Sequence, residues 1–276
     1  MSEGFHVHGG TLVVAIMETN QIVIAIDSRA TANRPGQTNS FQDGFEKVTQ
    51  LSKHVVFFFT GAGIFQSLAF TNNLADTAKD LASDWTKNNR RIPLDSLANN
   101  FKAIVKSDLS RLTVADIEFL HRVATKGGGT QVFQAVFAGM DFDAAFRMFK
   151  VTCNSIVETN DGKIDARLSF DVAEQKRNGN QWFLFFGSTK VFGDGMNDPK
   201  APLAPFMRQL KASNSRLAEP TAASLLAAGV RDYGDGPDSS VGYPLFVYVI
   251  DADGFRMTRK VGKGQTVPFD PRDQGK

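Results

Sequence analysis

The sequence predicts an α+β fold in which antiparallel sheets pack face to face and helices lie outside them. Three observations lead to this prediction. The chain begins with apolar strand hairpins, pairs of helical segments separate the groups of strands, and strands and helices do not alternate one for one. A parallel βαβ fold requires that alternation, so the order of elements favours antiparallel sheets.

The first predicted element is a hairpin between Thr11 and Asp27. Its strands are the apolar, largely β-branched runs 12–16 and 22–26, and the polar residues 18–21 form its turn. Because a hairpin returns the chain beside its own start, we expect Asp27 to lie near Thr11.

A second hairpin is predicted after a turn-rich loop that covers residues 33–46. Its strands are residues 47–51 and 54–59, and the glycine-containing run 61–63 is expected to end it.

Two helices are predicted next, over residues 64–88 and 94–112, because apolar residues recur there at helical spacing. Pro93 suits the start of the second helix, where the N–H that proline lacks has no partner within the helix.

The rest of the chain repeats the order of strands, helices and strands. Strands are predicted at 131–139, 145–153 and 182–186, helices at about 203–212 and 220–232, and a closing hairpin at 247–250 and 255–257. The polar residues 262–276 are expected to form a loose tail.

Composition excludes several classes of function. The net charge is +2 and no run of Lys and Arg occurs, so nucleic-acid binding is not expected. No apolar run reaches the roughly 20 residues of a membrane span, and residues 1–10 lack the apolar core of a signal peptide. The lone Cys153 excludes an intramolecular disulfide, and the four histidines do not cluster with carboxylates at metal-ligand spacing. We therefore expect a cytoplasmic protein with no membrane partner, metal or other cofactor.

Thr11 is the candidate nucleophile. It follows Gly9 and Gly10, begins a strand and faces a carboxylate, which is the arrangement expected of a threonine that becomes an N-terminus. A hydroxyl is a weak nucleophile until a base takes its proton, and an N-terminal amine with a pKa of about 7.7–8.0 can be that base. This chemistry requires that the bond between Gly10 and Thr11 be cut.

The order of short motifs along the first 65 residues resembles that of proteasome β subunits and the related bacterial ring proteases, which are N-terminal-nucleophile (Ntn) hydrolases. The motifs are Gly10-Thr11, the hairpin, Asp27-Ser28-Arg29-Ala30-Thr31-Ala32, Lys47-Val48 and Thr60-Gly61-Ala62-Gly63. The resemblance is strong over residues 11–65 and weaker, though colinear, to about residue 260. It implies a four-layer αββα sandwich, a propeptide that removes itself after a glycine, peptide substrates and a ring-shaped homo-oligomer, and leaves any unfoldase partner open.

The resemblance also implies roles for individual residues. Lys47, paired with Asp27, favours the neutral amine of Thr11, and the N–H of Gly61 stabilises the oxyanion. In the later part of the chain, Ser188 and Asp238 correspond to supporting residues. The family serine that follows three residues after that aspartate is Val241 here, and the neighbouring Ser240 substitutes for it only if the turn shifts.

A substrate site is implied by the same resemblance. Thr31 and Gly61 bracket an extended substrate, which joins the sheet as a strand. The remaining positions that match the family's substrate site are Ala30, Phe45, Thr49, Phe59 and Gly63. For Phe45 and Phe59, core packing is an equally good explanation.

These observations predict a threonine peptidase with a propeptide at 1–10, an Ntn-hydrolase domain at 11–261 and a tail at 262–276. Two alternatives stay open. A competing alignment matches Thr11 and Leu12 to later family positions, puts Gly9 at the nucleophile position and leaves an inactive scaffold. A weaker alternative is an Ntn amidase that acts on a small molecule.

Overall fold

The structure is a computed structural model that describes residues 5–9, 11–36, 40–67, 70–87, 91–126, 128–176, 181–187, 218–233 and 241–265. These residues form fourteen strands and four helices, which belong to two compact units. The first unit comprises Met1–Gly9, Thr31–Ser40 and Lys47–Lys176, and the second comprises Gly10–Ala30, Phe41–Glu46 and Arg177–Lys276.

Most of the first unit's strands belong to a nine-stranded antiparallel sheet, of which Ala30 and residues 41–42 are assigned to the second unit. Its strands are β1 (His6–Gly9), β4 (Ala30–Asn33), β5 (Ser40–Gln42), β6 (Val48–Gln50), β7 (Val55–Gln66), β8 (Thr71–Asn73), β9 (Gln131–Met140), β10 (Phe146–Asn160) and β11 (Lys163–Glu174). The order across the sheet is β11-β10-β9-β7-β1-β4-β5, with β6 and β8 paired to the ends of β7. The long β7 therefore lies at the centre of the unit.

Three helices share a hydrophobic core with this sheet: α1 (Leu74–Lys87), α2 (Leu94–Leu109) and α3 (Val114–Lys126). At its centre Phe57, Phe101 and Phe137 lie with ring centroids 5.1 to 5.4 Å apart. Aromatic side chains contribute large buried areas, which explains the heavy use of phenylalanine in this chain.

The second unit is built on a five-stranded antiparallel sheet in the order β12-β2-β3-β13-β14. Its strands are β2 (Leu12–Glu18), β3 (Ile22–Asp27), β12 (Gln181–Gly187), β13 (Leu245–Asp251) and β14 (Gly254–Val261). Helix α4 (Ala218–Tyr233) packs on one face of this sheet, largely through alanines. Nearly every residue of β2 and β3 is buried, so neither strand alternates apolar with polar residues.

The hairpin predicted between Thr11 and Asp27 is confirmed. Val13 lies opposite Ile26 and Met17 opposite Ile22. The N–H of Glu18 donates to the carbonyl of Gln21 over 2.9 Å and closes the turn.

Two predictions around β7 are wrong. The glycines at 61–63 do not end the strand, because β7 continues through them to Gln66 while pairing with β1, β8 and β9. The helix predicted over 64–88 begins only at Leu74, and the residues before it include the end of β7 and all of β8. Ile64 and Leu68 have helical spacing to the later apolar residues. Ile64 nevertheless belongs to β7, where its backbone pairs with β1 and β8.

Six elements were not predicted: β1, β4, β5, β8, β11 and α3. Of these, β5 lies within the segment 33–46 that was predicted to be a loop. Strand β1 lies in a segment that the sequence presents as a short polar leader. Helix α3 follows the end of α2 at Leu109, where the prediction runs on to residue 112. The signal for α3 is a capping box: the N–H of Thr113 donates to Asp116 Oδ2 over 2.9 Å and the N–H of Asp116 to Thr113 Oγ1 over 3.3 Å.

The predicted α+β class, with two antiparallel sheets and helices packed on them, is confirmed. The strands predicted at 131–139, 145–153 and 182–186, the helix at 220–232 and the closing hairpin are also present, with ends shifted by a few residues. The helix predicted at about 203–212 and residues 266–276 of the tail lie outside the described residues.

Candidate active site

The predicted site residues are divided between the two units. Lys47 and Gly61 belong to the first unit, and Thr11 and Asp27 to the second. The predicted supporting residues Ser188, Asp238 and Ser240, and the Gly10 side of the bond to be cut, lie outside the described residues.

In the second unit, the Asp27 carboxylate is fully buried at the end of β3. Its Oδ1 accepts from the N–H of Leu12 at 2.7 Å, and its Oδ2 accepts from the N–H groups of Arg29 at 3.1 Å and Gly242 at 3.3 Å. Backbone donors from these separate segments offset the cost of removing the carboxylate from water.

Thr11 is adjacent to the first of those donors. Its residue is 2% exposed, and the next residue along the chain, Leu12, donates to Asp27. The structure thus brings the start of β2 and the end of β3 together, as the hairpin predicts.

The segment just before Lys47 is fixed to the Asp27–Arg29 turn within the second unit. Both guanidinium nitrogens of Arg29 that face Asp43 donate to it, Nε at 2.6 Å and Nη2 at 3.0 Å. The N–H of Gly44 donates to Ser28 Oγ at 3.1 Å, and the N–H of Phe45 to the Ser28 carbonyl at 2.9 Å. The end of the loop predicted at 33–46 is therefore ordered by the motif that begins at Asp27.

Two further residues support this segment and were missed by sequence reasoning. Tyr248 donates its hydroxyl to Glu46 Oε1 at 3.1 Å, and burial raises the pKa of Tyr248 above its usual range. A Cβ on Gly242 would come within 2.6 Å of Arg29 Nε, so a larger residue there requires the Arg29 side chain to shift. The sequence signal for Gly242 is weak, because a glycine in a polar stretch ordinarily indicates a turn.

In the first unit, Lys47 is 3% exposed and immediately precedes β6. A solvated lysine on a strand surface is the ordinary expectation, so its burial sets it apart.

Gly61 lies inside β7 with a φ of +78°, where L-residues are strained. A Cβ there would also lie 2.3 Å from the carbonyl oxygen of Val132 in the neighbouring β9. Gly63 has a different constraint: a Cβ there would lie 1.8 Å from the Phe59 ring. Gly61 therefore requires glycine for steric reasons alone, whatever its role in catalysis, whereas a side chain at Gly63 requires the Phe59 ring to move.

The chain's own β1 lies in the place predicted for an extended substrate. Gly9 pairs with Thr31 on one side and with Ala62, next to Gly61, on the other. Thr31 is 4% exposed, and its Oγ1 has no hydrogen-bond partner within the described part of the chain.

The other predicted substrate residues have mixed surroundings. Phe59 is buried in the first unit's core, with its ring centroid 6.2 Å from that of Phe57. Thr49 in β6 is half-buried in the first unit, and Ala30 and Phe45 are half-buried in the second. Phe59 is therefore a core residue whatever else it does.

Other chemistry has little support in the described ranges. They contain no group of three His, Cys, Asp or Glu residues placed to hold a metal ion. None of the helices in these ranges has the length and apolar character needed to cross a membrane.

Burial raises the pKa of Cys153 well above its usual range, so this thiol is unreactive. A cleft of about 670 Å³ in the first unit, lined in part by His54, Arg91 and Asp141, includes none of the predicted site residues.

A family model described as "Proteasome subunit" matches residues 7–154, which is more than half of the chain. The match includes Thr11, Asp27, Lys47 and Gly61 and stops before Ser188. No curated protein sequence matches the chain.

Proposed function

The chain belongs to the proteasome subunit family, and on that premise we propose that it is a threonine peptidase whose nucleophile, Thr11, is exposed when the chain cuts its own Gly10–Thr11 bond. The peptidase acts in the cytoplasm on peptides or unfolded proteins. It assembles into a ring of identical subunits, in keeping with the ring oligomers typical of the family.

The observation that carries this proposal is the environment of Asp27. Its buried carboxylate accepts hydrogen bonds from three backbone N–H groups, and one of them belongs to Leu12, the residue after Thr11. A buried charge held by backbone donors from separate segments is costly to build and is typical of functional sites. It fixes the start of β2, and hence the backbone of the proposed nucleophile.

The proposed reaction gives Thr11, Asp27, Lys47 and Gly61 the roles that the family resemblance implies. The neutral amine of Thr11 takes the proton from its own Oγ, which attacks the peptide carbonyl. The N–H of Gly61 stabilises the oxyanion. The peptide C–N bond then breaks, the ester forms on Thr11, and the leaving amine accepts the proton from the protonated Thr11 amine. Water then hydrolyses the ester. Lys47 and Asp27 favour the neutral form of the amine throughout.

Peptide hydrolysis by four proteins tests the proposal: the wild type, Thr11→Ala, Thr11→Ser and Thr19→Ala. Thr19 is an exposed threonine in the turn of the same hairpin, so Thr19→Ala is a matched control. We expect Thr11→Ala to lose at least about a thousandfold in kcat/KM, because a nucleophile cannot be replaced by a methyl group. Thr11→Ser, which keeps a hydroxyl, should retain measurable activity, and Thr19→Ala should match the wild type. Equal hydrolysis by Thr11→Ala and the wild type would contradict the proposal.

The second candidate is an inactive scaffold, and the pairing of β1 with β4 and β7 favours it. A leader that stays docked in the sheet of the assembled protein has no need to be removed. On this alternative, the assembled wild type keeps residues 1–10 and hydrolyses no peptide.

A further inference from the structure

We propose that this site selects glycine at the second substrate residue before the cleaved bond. Gly9 occupies that position in this chain, and the backbone around it excludes residues with a Cβ. The inference rests on the proposed function, since it describes the substrate that the same site selects.

Strand β1 is bound as an extended substrate would be. It pairs antiparallel with β4 through Val7–Asn33, His8–Ala32 and Gly9–Thr31. On its other side it pairs antiparallel with β7, from His6–Gln66 to Gly9–Ala62. A peptide that adds to a sheet in this way gains affinity from main-chain hydrogen bonds and specificity from its alternate side chains.

The direction of the chain identifies which part of a substrate β1 represents. Gly9 is followed by Gly10 and then by Thr11, so residues 6–9 lie on the acyl side of the bond that is proposed to be cut. Val7, His8 and Gly9 are therefore the fourth, third and second residues before that bond.

The contact at Gly9 leaves no room for a side chain. A Cβ built on Gly9 would lie 1.9 Å from the carbonyl oxygen of Gly61 and 2.9 Å from the Cα of Ala62. The cause is a bulge: the pairing of β1 with β7 shifts between His8 and Gly9, from His8–Ile64 to Gly9–Ala62. The bulge skips Gly63 and brings the two backbones together.

The backbone opposite Gly9 cannot move away. Gly61 pairs with Phe133 on its far side, and a Cβ on Gly61 would lie 2.3 Å from the Val132 carbonyl oxygen. The peptide at Gly61 is thus held closely between β1 and β9. A larger residue at position 9 has to displace β1 itself.

The neighbouring positions of β1 do accept side chains. Val7 is 1% exposed and packs in the first unit's core, whereas His6 and His8 are half-buried. The substrate class that fits is an extended peptide with glycine at the second position before the cut and an apolar residue at the fourth.

Two measurements test the inference. The first uses the full chain carrying Thr11→Ala, so that residues 1–10 stay attached, and measures hydrogen exchange of the segment that contains β1. Gly9→Ala is added to this chain in one variant and Gly129→Ala in another. Gly129 is a matched control because a Cβ there meets no atom closer than 4.0 Å. We expect Gly9→Ala to abolish the protection of residues 6–9 and Gly129→Ala to leave it unchanged.

The second measurement needs no variant and so does not depend on the folding of one. The wild-type protein is given two fluorogenic aminocoumarin peptides, acetyl-His-Val-His-Gly-Gly and acetyl-His-Val-His-Ala-Gly. A steric misfit in a packed site is destabilising, so kcat/KM should be at least about tenfold higher for the glycine peptide, which corresponds to about 1.4 kcal/mol.

Unchanged protection in Gly9→Ala, or hydrolysis of the two peptides within about twofold of each other, would overturn the inference and leave the proposed function standing. If the wild type hydrolyses neither peptide and keeps residues 1–10, the proposed function fails and the inference fails with it.

Discussion

At the scale of single residues, Asp27 organises the second unit's part of the candidate site. One of its oxygens binds the start of β2, and the other binds the Asp27–Arg29 turn and Gly242. Arg29 then binds Asp43, and Gly242 packs against Arg29. The run Asp27-Ser28-Arg29 thus holds separate segments in place: Asp27 binds Leu12 and Gly242, and Ser28 and Arg29 together bind residues 43–45.

Asp27→Asn should destabilise the fold and slow self-cleavage. The amide has one acceptor oxygen where the carboxylate has two, so at least one buried N–H loses its partner, at a cost of about 1–3 kcal/mol. Urea unfolding of the Thr11→Ala chain with and without Asp27→Asn measures this cost. The control is Asp253→Asn, an exposed aspartate in the β13–β14 turn, which should change the free energy of unfolding by less than about 0.5 kcal/mol. If Asp27→Asn is as mild as this control, the importance given to the three N–H contacts is wrong.

Single residues also show how far the site could be predicted from sequence. Thr11 and Asp27 were expected to lie together because a hairpin places the end of its second strand beside the start of its first. The residues of a hairpin are also close in sequence, so a local pattern can reveal it. Gly242 and Tyr248 were not predicted, because they contact Asp27, Arg29 and Glu46 from more than 200 positions away. No local pattern reports a contact of that kind.

At the scale of elements, β1 is the feature that most affects the interpretation of the site. Four residues of a polar leader form a strand inside the first unit's sheet, between β4 and β7. Sequence reasoning missed it because the alternation of a buried valine with two histidines is too short to stand out. The error over residues 64–88 has a related cause, since β7 runs past its glycines to pair with β1 and β8.

The docking of β1 should weaken in acid. The pKa of the His8 imidazole is held below its ordinary value of 6.5, first by burial and then by the nearby charges of His6 and Arg34. His8 therefore binds a proton more weakly in the docked strand than in the released strand. Above pH 6.5 His8 is neutral in both states and does not weaken docking. As the pH falls below 6.5 towards the lowered pKa, docking becomes weaker.

Hydrogen exchange of residues 6–9 in the Thr11→Ala chain, corrected for intrinsic rates, measures this effect between about pH 7 and pH 5. Protection should fall across that interval in the parent chain and in a His54→Gln control. It should fall less when His8→Gln removes the titrating group. An identical loss of protection with and without His8 would contradict the assignment.

At the scale of the whole molecule, the chain forms two compact units whose sequences interleave. The strand that begins at Leu12 belongs to one unit, and the segment that ends at Gly9 belongs to the other. Cleavage between Gly10 and Thr11 therefore separates β1 of the first unit from β2 of the second. The proposed processing step removes a strand from the first unit's sheet and leaves the second unit's sheet whole.

The fold class was predictable because it depends on the order of strongly apolar segments, which the sequence displays directly. The α1–α3 region was predicted less well. Helix ends depend on caps such as Thr113 and Asp116, and residues predicted to begin α1 pair in β7 and β8 instead. The supporting residues expected at 188, 238 and 240 stay predictions.

The most direct test of the central claim is the intact mass, with N-terminal sequencing, of the assembled wild-type protein beside Thr11→Ala. We predict that the wild-type chain begins at Thr11, having lost residues 1–10, and that Thr11→Ala keeps them. An assembled wild-type chain that still carries residues 1–10, or a Thr11→Ala chain cut at the same bond, would contradict the account.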